Sequence, residues 1–480
     1  MANQYGTIGM LGETILTAPQ MHSNAPVYVG LAPLHLASRP ATVNRPVLVR
    51  SFAEAAQLLG FSDDFERYDL CEAIDAHFLN RIQPVGPICC INVFDPTAPG
   101  ATKATPITVS VTLSGGIGYI ADQDCVIATI EIEGKELGTD YAVVFDANSR
   151  RVRITDLTGT MESPVTVTYK RADISLITAA EIIGESHDDG NKTGIKAIGY
   201  VYQTLGVVPA FLCAPMWGGD EAVHAALIAA SQAVSGRFYA MVPGDIAVSN
   251  ATVSEAIMSK TVERMTGEME LPGWPRAYKG SQRYHFSVLT IVASMQTDLR
   301  NGGIPFESAD NKPIDIDGTC LALDRPILLD IDQADRLKAA GMRTGLRWGG
   351  VWRLWGSHTG AYGEADESDR RAIFDSGMRM LYYVLNVFTQ RYFDEIGRPM
   401  TRNRLDSIVK DVNAWLDSLV SMGALLFAAA EPMPEILADD MVMGRIRLKL
   451  RATSTPPIGL ITAVLSYTDE GLNLLIEGGN

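Results

Sequence analysis

The residues with the best claim to chemistry run Gly184-Glu185-Ser186-His187-Asp188-Asp189-Gly190-Asn191-Lys192-Thr193. A phosphate-cradling loop needs Gly, four residues, then Gly-Lys-Ser/Thr, directly after a strand. Here five residues separate the glycines, Asn191 precedes Lys192, and the residues ahead read as a helix. Glu185, Asp188 and Asp189 would repel phosphate, so the segment reads as a polar loop leading into a helix. His187 with Asp188 and Asp189 could ligate a cation, but the spacing matches no EF-hand, and a solvated turn is expected. The seven histidines, at 22, 35, 77, 187, 224, 285 and 358, include no pair at helical metal-ligand spacing. Gly356-Ser357-His358-Thr359-Gly360 puts His where a nucleophile elbow needs Ser. A Ser/His/Asp triad drawn from distant positions stays open, though nothing points to one. The sequence thus predicts no catalytic residue, no cofactor or cofactor-binding residue, and no metal ligand.

Two further groups have reactive or adhesive side chains. Three of the six tryptophans fall in Trp348-Gly349-Gly350-Val351-Trp352-Arg353-Leu354-Trp355, beside glycines. A twisted strand pair is expected, with close backbone approach at the glycines and indoles filling a core; an aromatic ligand site is the alternative. The six cysteines, at 71, 89, 90, 125, 213 and 320, form no CxxC pair and mostly sit in apolar runs. They read as buried reduced thiols, which fits a reducing compartment.

The elements that would position these residues follow from hydrophobic period. Residues 1–25 read as an extended arm, because Gly6, Gly9 and Gly12 interrupt the apolar stretch Ile8, Met10, Ile15, Leu16 and disfavour a helix by about 1 kcal/mol each. The arm has no sequence neighbour for a hairpin, so its partner must be distant or on another chain. Residues 26–95 read as α/β: strands at Val27–Leu31, Pro46–Val49 and Ile88–Phe94, a helix capped by Ser51, and a helix face made by Leu70, Ile74, Phe78 and Ile82. From Ile107 to Tyr169 the period becomes two, with runs such as 107–113, 127–132 and 165–169. This predicts an inserted all-β, sandwich-like domain over 96–171.

Residues 172–340 return to α/β, with a capping box at Thr178/Glu181, strands at 207–214 and 238–242, and a helix at 220–234. Residues 271–330 are rich in Gly and Pro and carry no clear period. Residues 341–455 read as a C-terminal α/β core domain with two long helices. Phe374, Met378, Leu381, Leu385, Phe388 and Tyr392 mark one; Thr401 caps the other, with Leu405, Ile408, Val409, Val412, Trp415, Leu416 and Leu419 as its stripe. From 445 to 451 Ile446, Leu448 and Leu450 alternate as inward residues with outward Arg445, Arg447, Lys449 and Arg451. After Pro456-Pro457, residues 456–480 read as a strand arm carrying Leu460, Ile461, Val464 and Leu465. The fold class is α+β: an α/β core, an inserted all-β domain and extended terminal strand arms.

Composition narrows the function classes. With 480 residues, 47 % hydrophobic and 20 % charged, the chain has material for about three packed domains and is neither disordered nor a stapled mini-protein. The formal charge of −16 argues against direct nucleic-acid binding. Met1–Gly6 lacks the charged and apolar regions of a signal peptide, and no uncharged apolar run reaches the roughly 18 residues of a membrane span.

Three stretches in order resemble the tail sheath proteins of contractile phage tails and contractile injection systems. They are Gly138-Thr139-Asp140-Tyr141-Ala142-Val143 with Val165–Tyr169 leading into Thr178-Ala179-Ala180-Glu181; Thr193-Gly194-Ile195-Lys196-Ala197 onward to Phe211-Leu212-Cys213-Ala214-Pro215; and Trp352-Arg353-Leu354-Trp355-Gly356-Ser357-His358-Thr359 with the two long helices that follow. At His358 the chain departs from the family, which more often has Arg there. The resemblance implies a structural subunit, not an enzyme. Such a subunit forms stacked hexameric rings in a helical array around an inner tail tube and contracts to drive the tube through a target envelope. It implies an outward-facing inserted domain and arms that add strands to neighbouring subunits. It also implies contacts with the inner tube, the baseplate and a tail terminator, none with nucleic acid or membrane, and a place in a virion tail or injection particle made in the host bacterial cytoplasm.

The four bases Arg445, Arg447, Lys449 and Arg451 are conspicuous on an acidic chain. They read either as a solvated strand face or as a face meeting acidic groups on the tube or a neighbouring subunit, with Glu364, Asp366, Glu367 and Asp369 as candidate partners. The competing function is an α/β, hydrolase-like enzyme without a recognisable motif.

Overall fold

The computed structural model describes residues 25–247, 249–322, 324–363, 369–433 and 442–469. Strands β1 (Val27–Gly30), β2 (Val47–Val49) and β3 (Ile88–Asn92) share one sheet, β1 parallel and β2 antiparallel to β3. Every residue of β3 is buried, as a continuous apolar run requires. The Ser51 hydroxyl accepts from the Glu54 N–H and starts α1 (Phe52–Leu58). Helix α2 (Asp69–Phe78) packs close to β1: a Cβ on Gly30 would lie 2.2 Å from Asp69 Oδ1, so only glycine fits there. The expected face holds at Leu70 and Ile74, but the helix ends at Phe78 and Ile82 is exposed. Asn80 turns the chain there, its carboxamide oxygen accepting from the N–H groups of Ile82 and Gln83.

The period-two region forms strands β4 (Ile107–Val111), β5 (Ile117–Ile120), β6 (Glu131–Ile132), β7 (Tyr141–Asp146), β8 (Arg151–Asp156) and β9 (Val165–Tyr169). They build two three-stranded antiparallel sheets, β4-β9-β6 and β5-β8-β7. Val152, Ile154, Val165, Val167 and Tyr169 point inward, every second residue, as a half-buried strand dictates. The expected strand over 127–132 is shorter: Ile127–Thr129 is a 3₁₀ turn, tightened by the Thr129 hydroxyl donating to the Val126 carbonyl.

Thr178 and Glu181 form the predicted reciprocal cap of α3 (Ala179–Ile183). A 3₁₀ turn, Gly194–Tyr200, runs into α4 (Val201–Leu205). Then follow β10 (Leu212–Cys213), α5 (Glu221–Ser231), β11 (Val242–Asp245), α6 (Val253–Val262) and β12 (Glu270–Gly273). The expected strand 207–214 shrinks to two residues, because Pro209 and Pro215 carry no N–H for a ladder. The strand expected at 238–242 begins at Val242 instead, since the Phe238 N–H turns back to the Val234 carbonyl.

Residues 271–330 hold the most ordered surprise. Strands β13 (Arg276–Lys279) and β14 (Gln282–Tyr284) precede α7 (Phe286–Arg300), which is buried from Phe286 to Asp298. A helix covered all round shows no amphipathic stripe, so its sequence hides it. Strands β15 (Gly318–Ala322) and β16 (Arg325–Ile327), helix α8 (Ile331–Ala339), and the hairpin β17 (Thr344–Trp348) and β18 (Val351–Trp355) complete this part.

Bridges Phe211–Met241 and Gly273–Arg343 join the strands into one mostly parallel run, β2-β3-β1-β10-β11-β12-β17. The chain winds outward from β1 in both directions, so a crevice is expected beyond the carboxyl ends of these strands.

Helices α9 (Asp375–Arg391) and α10 (Arg402–Ser421), the latter capped by Thr401, pack with a ribbon of β19 (Leu425–Pro432) and β20 (Leu448–Ser454). Leu385 of the expected α9 face is 40 % exposed, while Met380, Tyr382 and Val384 are buried. The helix lies between two cores, Met378 and Tyr382 in one and Met380 and Val384 in the other, and a single stripe could not describe both.

Candidate assembly surfaces

The clearest unsatisfied surface is at the C-terminal end. Thr455 still holds the body, its hydroxyl donating to the Gly423 carbonyl. Beyond it, residues 456–469 run without strand or helix, and Leu460, Ile461, Val464 and Leu465 are 84, 81, 86 and 97 % exposed. Ile458 and Tyr467 are also exposed. Single exposed apolar residues are ordinary, but a contiguous run of this kind marks an interaction surface. The N-terminal candidates Ile8, Met10, Ile15 and Leu16 lie outside the described residues.

Close by in the chain, β19 and β20 pair only with each other among the described residues, so each has one open edge. The inner face, Ala428 and Ala430, packs against α10 and its neighbours, while Leu426 and Phe427 are 59 and 48 % exposed. The ribbon is apolar along Leu425–Ala430 of β19 and carries Lys449 and Arg451 on β20, and an edge left open in this way offers backbone groups to an added strand.

The basic residues sit along the return strand of this ribbon. Strand β20 begins at Leu448, so Lys449 and Arg451 lie outward on it as expected, whereas Arg445 and Arg447 precede it and Ile446 is exposed rather than inward. The Arg447 carbonyl accepts from the Met433 N–H. Arg451 Nε lies 3.6 Å from Glu431 and its guanidinium 5.8 Å from the Phe427 ring centroid. Of the acidic candidates, Glu364, Asp366 and Glu367 lie outside the described residues; Asp369 is engaged by Arg371 at 2.6 Å.

The candidates for chemistry are occupied structurally. The 184–193 loop folds on itself: Ser186 bridges Lys192, and His187 N–H donates to Asn191. Its Gly184, at φ +70°, allows a contact that a Cβ would block, 2.0 Å from the Thr193 carbonyl. Among the described residues no group of three metal-ligating side chains occurs. His77 sits between the Tyr28 hydroxyl and the Val85 carbonyl, and burial lowers its pKa to about 4; burial does the same to His35. His358 is stacked on Tyr362, ring centroids 3.8 Å apart. All six cysteines are free and buried. The clustered indoles fill a core only in part: Trp352 is half-buried against the main core and donates to the Asp317 carbonyl, whereas Trp348 is exposed and Trp355 donates to Asp335. Gly349 and Gly350, both at positive φ, make the tight hairpin turn between them, and the buried indole is Trp274. No helix among the described residues is long and apolar enough to cross a membrane.

One constellation had no sequence signal. Glu66, Glu72, Asp75 and Arg81 meet Arg276, Lys279, Arg283, Tyr284, His285, Asp315 and Asp317 in a polar seam. Lys279 Nζ is 2.8 Å from Asp75, and the Tyr284 hydroxyl donates to Asp75 at 2.6 Å. The partners lie between 204 and 236 residues apart along the chain, beyond any local pattern. Buried pairs of this kind fix one arrangement at high cost to a lost partner.

No family model matches the chain. Its sequence is 25 % identical over 474 residues to the tail sheath protein of Burkholderia phage BcepMu, covering 94 % of each chain. It is 24 % identical over 296 residues to the major tail sheath protein of Serratia phage KSP20, covering 60 % of this chain and 71 % of that protein. Among solved structures, the fold is similar to a chain of the anti-feeding prophage baseplate, with TM-score 0.54, 11 % identity, and 97 and 100 % of the two chains covered. It is equally similar to a chain of an extracellular contractile injection system sheath complex in the contracted state, with TM-score 0.53, 10 % identity, and 98 and 100 % covered. The chain is therefore similar along nearly its whole length to contractile tail sheath proteins, and its mixed helix-and-sheet fold is that of sheath structures.

Proposed function

We propose that this chain is the structural subunit of a contractile sheath, and that it works by coupling neighbours mechanically. The observation that carries the reading is the exposed apolar run 458–467, beside a ribbon whose two strands pair only with each other among the described residues. An arm of that length reaches up to about 45 Å when extended, enough to cross to the next subunit. Main-chain pairing tethers a neighbour without a matched side-chain surface, so the bodies can shift as rigid units while the tether holds. Contacts made by an arm on one subunit and a ribbon on the next are head-to-tail, and such contacts build open helical arrays.

In this reading the segment 1–25 is the second arm and 456–480 the first. The regions 26–95, 172–340 and 341–455 form the body, and 96–171 is an outward-facing decoration. Subunits form stacked hexameric rings around an inner tube and also meet baseplate and tail terminator proteins. The assembled particle is a virion tail or injection device built in a bacterial cytoplasm. The extended lattice is a trapped, higher-energy state; baseplate rearrangement releases it into a shorter, wider one with more buried contact, and the difference drives the tube. The body's work needs no active site.

Electron microscopy of the overexpressed full chain tests this. Hollow tubes or rings of regular width are expected. A chain that stays monodisperse at high concentration and turns over small substrates overturns it.

A further inference from the structure

The inserted β domain leaves the α/β body and returns to it through one stem. Thr102 bridges Ala172, the Lys103 N–H donates to the Arg171 carbonyl at 2.9 Å, and the Asp173 N–H donates to the Ala101 carbonyl at 2.7 Å. The stem leads into β4 and out of β9, so it enters the sheet β4-β9-β6. Two adjacent crossings define one axis, and a domain hung on them alone swings about it.

A second attachment reaches the other sheet. The loop between α1 and α2, residues 59–68, meets the insert at Gln123, Asp124 and Arg150. The Gln123 carboxamide is fully used. Its oxygen accepts from the Ser62 hydroxyl and the Asp63 N–H, both at 2.8 Å. Its nitrogen donates to the Arg150 carbonyl at 3.0 Å and to the Asp63 carboxylate at 3.2 Å. Asp63 also pairs with the Arg150 guanidinium, which lies 5.2 Å from the Phe61 ring centroid. Asp124 is held by Arg67 and by the Tyr68 hydroxyl at 3.0 Å. Arg150 stands in the turn between β7 and β8, so the loop grips the sheet that the stem does not enter. The same loop binds the layer at 276–285. Its Glu66 carboxylate lies 2.8 Å from Arg276 and 2.9 Å from Arg283, and the Phe65 ring meets Tyr284 edge-on, centroids 5.6 Å apart.

We propose that loop 59–68 is a clamp that makes the insert and the α/β body one mechanical unit, so that a rotation of the body is carried to the surface the insert displays. Stopping a swing needs a fixed point away from its axis, and Gln123 with Arg150 supplies one. Opening the clamp would leave Asp63, Asp124 and Gln123 without their partners together, and that cost holds the insert in place. The inference concerns the folded chain alone and stands or falls independently of assembly.

Pulsed electron-spin distance measurement between nitroxides at T139C on the insert and T261C on α6 tests it, in the full chain spin-diluted with unlabelled chain. Both threonines are exposed, and the six native cysteines are buried. One narrow distance distribution is expected. Q123E combined with R150A should broaden it at least twofold, because Glu sets a second carboxylate against Asp63 and Ala removes the guanidinium. A broad or two-peaked distribution with the clamp intact overturns the proposal, as does an equally narrow one in the double variant. Should the double variant not fold, hydrogen exchange of the wild-type chain in graded urea decides: peptides over 141–156 must open together with those over 59–78, and earlier opening of the insert overturns the idea.

Discussion

Ending the chain after Pro457 should abolish assembly while leaving the folded body intact. Residues 458–467 alternate so that Ile458, Leu460 and Val464 share one strand face and Ile461, Leu465 and Tyr467 the other, and all six are at least 79 % exposed. Burying them on a neighbour at about 2 kcal/mol each gives about 12 kcal/mol. About eight new ladder bonds at about 1 kcal/mol add about 8. Ordering the ten-residue segment costs about 14 kcal/mol. The remainder, about 6 kcal/mol per subunit, corresponds to a roughly 10⁴-fold weaker association on removal. The body should be little affected, because residues 458–467 pair with no strand among the described residues; the melting temperature should stay within about 1 °C. Sedimentation velocity and negative-stain microscopy across a concentration series read the first effect, and calorimetry the second. A truncated chain that assembles at the concentration of the full one refutes the reasoning; so does a melting temperature several degrees lower, which would mean the arm belongs to its own protomer.

Two other outcomes follow from the charges. Asp69, buried with Oδ1 accepting from the Leu31 N–H at 2.5 Å and Oδ2 unpartnered, has its pKa raised to about 8. The unfolded chain therefore binds fewer protons than the folded one between about pH 4 and 8, and stability should fall by up to about 1.4 kcal/mol per pH unit across that window from this group alone. D69N keeps the acceptor for Leu31 and should remove that slope; urea unfolding at pH 5, 6.5 and 8 checks it, and equal slopes in the two proteins would exclude the assignment. Reversing Lys449 and Arg451 to Glu should raise the concentration needed for assembly and weaken its salt dependence, with little effect on the monomer, since the exposed Arg451–Glu431 contact is worth no more than about 1 kcal/mol. Unchanged assembly and salt sensitivity would show that the face is merely solvated.

Several features were written locally. The Thr178/Glu181 and Ser51 caps, the fully buried strand at 88–92, and the period-two segments at 107–111 and 165–169 are each decided by neighbours within a few residues, and local side-chain chemistry suffices to place them. Tertiary structure decided what depends on distant partners. Helix α7 is enclosed on every side and so shows no stripe; α9 serves two cores at once; of the indoles of the β17–β18 hairpin, Trp352 reaches the main core while Trp348, beside the glycine turn, stays exposed. The seam around Glu72, Asp75 and His285 is the extreme case. A charge on α2 gains meaning only when β13 and the start of α7, some two hundred residues later, are brought within 3 Å of it, because electrostatic pairing acts through space and leaves no period in the chain.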